Sequence, residues 1–440
     1  MLNKKGWFYK SLLCLGLMTA SVCYTHTADA QRTNIKRSEV KFQDGVNAFY
    51  AGDHELALKS FLVLAHKKDP QAQYFLAYMY DVGQGTVKDV HEAARWYIKS
   101  AEQGYLPAIV YAGYIHATGR GVAKNEEKAI AWYEKAALQG DSIAQNNLGS
   151  ILQNSEDPKD KFQAARWYLS SALQGNPSAQ FNLATMYRKG EGVKQNLNEA
   201  ARWYILSALQ GNKFSQNATA YMYLKGIGVT QNTNTAVEWY RRAAEQGLAA
   251  AQFQLARVYQ ESAKNPGIPQ NIKYQYQRSA ALWLHHAAQN ENPEAAFRLA
   301  ELYMSGVGVQ KSTAEAFKWL KYAYDKNYKP ARMKLAQMYE TGSGVEKNVG
   351  EAFKIYKSEA ESKNAEAMYD VARFYYAGIA TGRDLPEAYK WFALAVDNIE
   401  SGETREAAII GRIEVTNNMS RDELARGRQL VATWQAQNPE

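Results

Sequence analysis

The sequence predicts an all-α protein, a right-handed α-solenoid of about nine helix-turn-helix repeats with a cap at each end. Three recurrences support this fold class: tryptophan in one register, a glycine pair before it, and a further glycine or asparagine after it. Self-similarity at a period of 36 residues is typical of helical repeat arrays, in which each unit buries its apolar face only by stacking on its neighbours. We therefore expect one elongated array instead of several globular domains.

The tryptophan register marks the second helix of each repeat. Successive tryptophans are 35 or 36 residues apart, except for steps of 44 and 72 residues, and Ile355 fills the slot that the longest step skips. Alanine precedes most of them and tyrosine often follows, which predicts a packed core position. The eight residues are Trp96, Trp132, Trp167, Trp203, Trp239, Trp283, Trp319 and Trp391.

The glycines mark where the helices end. Paired glycines supply backbone angles that other residues avoid, so Gly-x-Gly at fixed phase predicts the turn between the two helices. A single glycine or asparagine eight residues after the tryptophan predicts a left-handed cap at the end of the second helix. The pairs begin at Gly83, Gly119, Gly190, Gly226, Gly306 and Gly342, and the caps are Gly104, Gly140, Gly175, Gly211, Gly247 and Asn327.

The first 30 residues predict a secretory signal peptide. They combine a lysine-containing start, an apolar run over 12–22 and a small-residue cleavage site at 28–30. The apolar run is too short to span a bilayer, which needs about 20 residues. We expect an exported protein of the periplasm or the extracellular space. An uncleaved anchor and a lipoprotein attached through Cys23 are the alternatives. Val22 disfavours lipidation, because a small residue is expected directly before a lipidated cysteine.

Composition narrows the function classes. Cys14 and Cys23 both lie in the predicted signal, so the mature chain has no disulfide, thiol nucleophile or thiolate metal site. The formal charge of +8 is spread along the chain, and no basic block predicts nucleic-acid binding.

We expect a signal peptide over 1–30, an N-terminal tetratricopeptide-like cap over 31–69, the solenoid over 70–400 and a C-terminal helical cap over 401–440.

Residues 178–211 show the repeat most fully, with Leu183-Ala184, Gly190, Gly192-Val193, Trp203-Tyr204 and Gln210-Gly211 in order. This string resembles the Sel-one-like repeat family, relatives of the tetratricopeptide repeat, and the resemblance covers about three quarters of the chain. It implies an adaptor or scaffold that holds other proteins. Secreted bacterial members are linked to exopolysaccharide machinery, peptidoglycan upkeep and host interaction. The penicillin-binding branch of the family carries cysteines that the predicted mature chain lacks.

The partner site is predicted on the first helices, because in tetratricopeptide-like stacks these helices line the concave face. Aligned by repeat phase, one row of this face is aromatic and neutral in its first half and charged in its second half. Tyrosine is a favoured interface residue, although simple packing between repeats is the alternative. The predicted partner-binding residues are Tyr74, Tyr78, Tyr114, Phe181, Tyr221, Arg257 and Arg373.

One repeat is eight residues longer than the others, between Trp239 and Trp283. Pro266 and Pro269 predict a stiffened loop there, and Tyr274 is expected to be the third residue of this inserted-loop site. Long loops on solenoids often form binding surfaces, so the loop is a second candidate site. A tolerated insertion is the alternative.

The sequence predicts a binding protein and not an enzyme. We expect an exported scaffold of the bacterial envelope with a protein partner in its groove. The first alternative is a binder of peptidoglycan or polysaccharide, or a regulator of a peptidoglycan enzyme, which would use a basic row before the tryptophans. The second is a penicillin-recognising hydrolase, for which Ser38-x-x-Lys41 is an isolated match. We expect no cofactor and no metal, and His116 replaces a recurrent tyrosine as a packed side chain.

Overall fold

The computed structural model describes residues 40–438, and these hold 22 helices and no strand. The prediction of an all-α solenoid is confirmed, while the predicted signal peptide lies outside the described residues. The helices are α1 (Phe42–Tyr50), α2 (His54–His66), α3 (Pro70–Val82), α4 (Val90–Glu102), α5 (Leu106–Thr118), α6 (Glu126–Ala137), α7 (Ser142–Leu152), α8 (Pro158–Leu173), α9 (Pro177–Lys189), α10 (Leu197–Leu209), α11 (Lys213–Lys225), α12 (Thr233–Glu245), α13 (Ala249–Ala263), α14 (Gln270–Gln289), α15 (Pro293–Ser305), α16 (Thr313–Asp325), α17 (Pro330–Thr341), α18 (Val349–Glu361), α19 (Ala365–Ala377), α20 (Leu385–Asn398), α21 (Glu403–Asn417) and α22 (Arg421–Gln437).

Each repeat is a helix pair in which most helices begin at a polar cap and many end at a glycine. The Asp69 carboxylate accepts a hydrogen bond from the Ala72 amide at 2.8 Å, which satisfies a free N–H group at the start of α3. Helix α3 ends at Val82, and Gly83 caps it with a left-handed φ of 78°. The predicted cap after the second helix is also confirmed, for example at Gly140 with a φ of 90°.

The second glycine of each pair has a further role, at the contact between successive repeats. A Cβ atom on Gly121 would collide with the backbone carbonyl of Val90, at the start of the preceding second helix. The same relation recurs at every Gly-x-Gly turn, so these glycines let one repeat sit directly on the backbone of the one before it. The pairs are Gly85 with His54, Gly121 with Val90, Gly192 with Lys161, Gly228 with Leu197, Gly308 with Gln277 and Gly344 with Thr313.

Buried glutamines connect the helices of several repeats. Gln180 donates to the Ala172 carbonyl of the preceding helix at 3.2 Å and accepts from Gln210 at 2.8 Å. Gln145 and Gln252 make the equivalent bonds to Ala137 and Ala244. A buried amide is stable only when its polar atoms are paired, so this pattern holds the helices at a defined offset.

The core is built from alanine and large aromatic side chains. Many alanines at the helix contacts are fully buried, which lets neighbouring helices approach closely. Trp96, Trp203, Trp319 and Trp391 are buried, whereas the other tryptophans of the register are half-buried. The interpretation of the tryptophan register as packing is confirmed, and the predicted burial of His116 is confirmed as well.

The described chain packs as two compact units. The first contains the described residues up to Ser215 together with Ile227–Val229, and the second contains Gln216–Gly226 and the residues from Thr230 onward. Helix α11 is therefore divided between them. In the second unit, α22 packs on α20 through Trp434 and Trp391, whose ring centroids are 5.0 Å apart. Among the described helices, none has the length and apolar character needed to cross a membrane.

Candidate functional site: the face of the first helices

The candidate site consists of two positions on the first helix of each repeat, which we call the first-helix face. In the first unit its residues are Tyr74, Tyr78, Val110, Tyr114, Asn146, Ser150, Phe181 and Thr185. In the second unit they are Asn217, Tyr221, Phe253, Arg257, Phe297, Glu301, Met333, Gln337, Tyr369 and Arg373. Val110 and Phe253 are buried and the others are half-buried or exposed, so most of the predicted row lies at the surface of its unit.

In the first unit the predicted tyrosines belong to an aromatic cluster. The Tyr74 ring lies 5.3 Å from Tyr97 and 5.5 Å from Tyr105. Tyr114 lies 5.4 Å from Tyr111. Such edge and tilted contacts hold the rings in fixed orientations. Burial raises the pKa of Tyr78 above its ordinary value, so this part of the face is a neutral, preformed aromatic surface.

A buried ion pair supports that cluster and was not found by sequence reasoning. Asp81 accepts hydrogen bonds from the Tyr111 hydroxyl at 2.8 Å and from the Arg120 Nε atom at 2.9 Å. Arg120 is the middle residue of a Gly-x-Gly turn. Its side chain therefore ties that turn to α3 of the repeat before. The signal in the sequence was an acidic residue in a helix end that is otherwise apolar.

In the second unit, Tyr221 and Arg257 are exposed members of the row, as is Gln337. Tyr221 is 48% exposed. Tyr240 of α12 is fully buried. The pKa of Tyr240 is raised to about 12, chiefly by burial and less by the Tyr221 phenol, while the Arg257 charge acts in the opposite direction. The Tyr240 hydroxyl thus lies within electrostatic reach of Tyr221 and Arg257.

Removal of the Tyr240 hydroxyl is expected not to reduce the stability of the fold. Among the described residues this buried hydroxyl has no hydrogen-bond partner, whereas the Tyr168 hydroxyl at the equivalent position donates to Gln153 at 2.9 Å. We expect Tyr168→Phe to lower the free energy of unfolding by about 1 kcal/mol and Tyr240→Phe to leave it unchanged or to raise it. Urea unfolding of the two variants checks this, and an equal loss in both would contradict it.

The last repeats present charges that are already paired. Arg373 donates to Glu340 and to Asp370, each at 2.8 Å, and Lys334 donates to Glu301 at 2.6 Å. Burial raises the pKa of Asp370 to about 6, and the Arg373 charge opposes this shift. Arg373 is thus engaged by carboxylates of its own chain, and its assignment to partner binding stays a prediction.

The raised pKa of Asp370 predicts a pH effect on stability. A folded-state pKa above the ordinary value means that the fold favours the protonated carboxyl, so this contribution is present below about pH 4 and lost as the pH rises through about 6. We expect Asp370→Asn to reduce the loss of unfolding free energy across this window by about 3 kcal/mol. Urea unfolding at several pH values measures it. Superimposable profiles for the two proteins would contradict the prediction.

The insertion is accommodated differently from the prediction. Pro266 and Pro269 lie in a short exposed loop, but Tyr274 lies in α14, which begins directly after Pro269. The added residues lengthen α13 and α14 because proline can precede a helix without losing a bond. Tyr274 is 53% exposed, so it remains an accessible helix residue.

Chemically, this face is suited to binding. Among residues 40–438, no group of three or more histidine, cysteine or acidic side chains could hold a metal ion. The side chains that the first-helix face presents are phenols, apolar groups, amides, ion pairs and the guanidinium of Arg257. Rigid aromatic rings offer a large contact area at a low entropy cost.

Two solved structures resemble this chain over most of its length. One is c5321, described as a protective antigen present in uropathogenic Escherichia coli strains displaying an SLR fold. It is 27% identical, with a TM-score of 0.61, over 90% of this chain and 83% of that chain. The other is a Sel1 repeat protein from Oxalobacter formigenes, 28% identical with a TM-score of 0.57, over 76% of this chain and 92% of that chain. No curated protein matches the sequence significantly.

The family model for the Sel1 repeat matches nine successive segments. This confirms the number of repeats and the resemblance that the motifs predicted. The segments are 70–105, 106–141, 142–176, 177–212, 214–248, 249–292, 293–328, 329–363 and 365–398. Since they occupy well over half of the sequence, the chain belongs to the Sel1 repeat family.

Proposed function

We propose that this protein is an exported scaffold of the bacterial envelope that binds a protein partner on its first-helix face. Sel1 repeat proteins act as protein-interaction scaffolds and are typically non-catalytic. The observation that carries the proposal is the placement of tyrosine at the surface of the first helices, at Tyr78, Tyr114 and Tyr221. Tyrosine is enriched among the residues that dominate binding energy. The likeness to c5321, a protective antigen, supports a place at the cell exterior.

Replacing the three tyrosines tests the binding face. We expect Tyr78→Ala, Tyr114→Ala and Tyr221→Ala together to weaken partner capture by at least about tenfold, because each removes a large contact area. Affinity purification from the native organism with quantitative mass spectrometry measures this. Lys354→Ala, on an exposed second-helix position, is the control. Unchanged capture by a triple variant with native helix content would refute the assignment.

The export part of the proposal rests on the first 30 residues. We expect the mature protein to begin at Gln31 and to fractionate with the periplasm or the culture medium. Cell fractionation and N-terminal sequencing check this. Recovery of the unprocessed chain in the cytoplasm would contradict it.

Binding of an anionic envelope polymer is the second candidate, and one observation favours it. Arg95, Arg166 and Arg202 are exposed at the same position of three second helices, α4, α8 and α10. However, Arg95 and Arg202 pair with Glu92 and Glu199, which reduces the free positive charge of this row. Co-sedimentation with purified peptidoglycan that disappears at moderate salt would favour the polymer over the protein partner.

A further inference from the structure

Two basic side chains on the face of the second unit have no counter-charge. Arg257 and Lys225 are both exposed, and neither makes an ion pair or a hydrogen bond to any described residue. Acidic groups nearby are already engaged, because Glu261 pairs with Lys264 at 3.0 Å and Glu301 with Lys334 at 2.6 Å. This region therefore carries unneutralised positive charge, which favours an anionic ligand.

Tyr221 places an aromatic ring and a hydroxyl between these charges. It is exposed, and it precedes Lys225 by four residues on α11, so the two side chains lie about 6 Å apart on one face. Arg257 occupies the matching position of α13, about one helix spacing or 10 Å away. The side-chain oxygen of Asn217 and the hydroxyl of Tyr240 beneath this face have no partner among the described residues. The surface is thus cationic, aromatic and polar at once.

Resting on the proposed function, we propose that Tyr221, Lys225 and Arg257 recognise an acidic, extended segment of the partner protein. In an extended chain, side chains two residues apart lie on the same face, about 7 Å apart. Acidic residues at such spacing can meet both cations, and the intervening backbone can pack on the Tyr221 ring. A neutral glycan leaves both charges unpaired.

The test uses the full-length protein and a fluorescent peptide with glutamate at alternate positions, compared with its glutamine counterpart. We expect the wild type to prefer the glutamate peptide, and Lys225→Gln with Arg257→Gln to weaken that binding about tenfold. The control, Lys318→Gln with Lys354→Gln, removes exposed charge from second helices and should have no effect. Equal binding of both peptides, or equal weakening by the control, would overturn the inference.

Capture of the native partner separates this inference from the proposed function. Loss of capture in both the charge variant and the tyrosine variant supports both claims. Capture that is retained by the charge variant but lost by the tyrosine variant overturns the acidic segment alone. Capture that survives both sets of substitutions overturns both.

Discussion

Gly121→Ala is expected to lower the free energy of unfolding by about 3 kcal/mol or more, whereas Gly140→Ala should cost only about 1 kcal/mol. Both glycines have left-handed backbone angles, with φ of 75° and 90°. A side chain at Gly140 would meet no atom, but one at Gly121 would meet the Val90 carbonyl and the Ala94 side chain. The difference between the two variants therefore isolates the contact between repeats from the backbone strain.

Urea unfolding of both variants measures this difference. Because repeat arrays can unfold in parts, amide hydrogen exchange of α4 and α5 should accompany it. We expect exchange in these two helices to accelerate in Gly121→Ala and to be unchanged in Gly140→Ala. An equal loss of unfolding free energy in the two variants would mean that the close approach of Gly121 to Val90 does not hold the repeats together.

Trp391→Ala has the other large expected effect, a loss of about 4 kcal/mol. The ring is 1% exposed, its Nε1 atom donates to Glu387 at 3.0 Å, and it packs against Trp434 of α22. Trp239 of the same register is half-buried beneath Arg242. We expect Trp239→Ala to cost about 1–2 kcal/mol, because less apolar surface leaves the core.

Limited proteolysis distinguishes a local effect of Trp391→Ala from a global one. Loss of the Trp391–Trp434 contact should release α22, so the C-terminal helix should be cleaved first in this variant and not in Trp239→Ala. Native resistance of α22 in Trp391→Ala would show that other contacts hold the helix.

Features with a local cause could be predicted from the sequence. The helix caps at Gly83 and Gly140 follow from the backbone freedom of glycine, and the burial of His116 follows from its place in the repeat. Contacts between residues that are far apart in sequence could not be predicted in this way. The collision that Gly121 avoids involves Val90 of the preceding repeat, and the periodicity that reveals the turn gives no distance to that carbonyl.

The sequence predicted where the residues of the candidate site lie, but not which of their charges are paired. Repeat phase placed Tyr221, Arg257 and Arg373 on one face of their helices. It could not show that Arg373 is engaged by Glu340 and Asp370 while Arg257 has no partner among the described residues, because that depends on side-chain geometry across repeats. Tyr274 was expected in the inserted loop, whereas it lies in α14, which begins directly after Pro269.

Photo-crosslinking in living cells tests the central claim most directly. A photoreactive residue would replace Tyr221 on the first-helix face, and a second variant would carry it at the exposed second-helix position of Lys354. The account predicts a defined protein adduct from position 221 and none from position 354, with mass spectrometry identifying the partner. Equal adducts at both positions, or none at position 221 while the protein sediments with the cell wall, would contradict it.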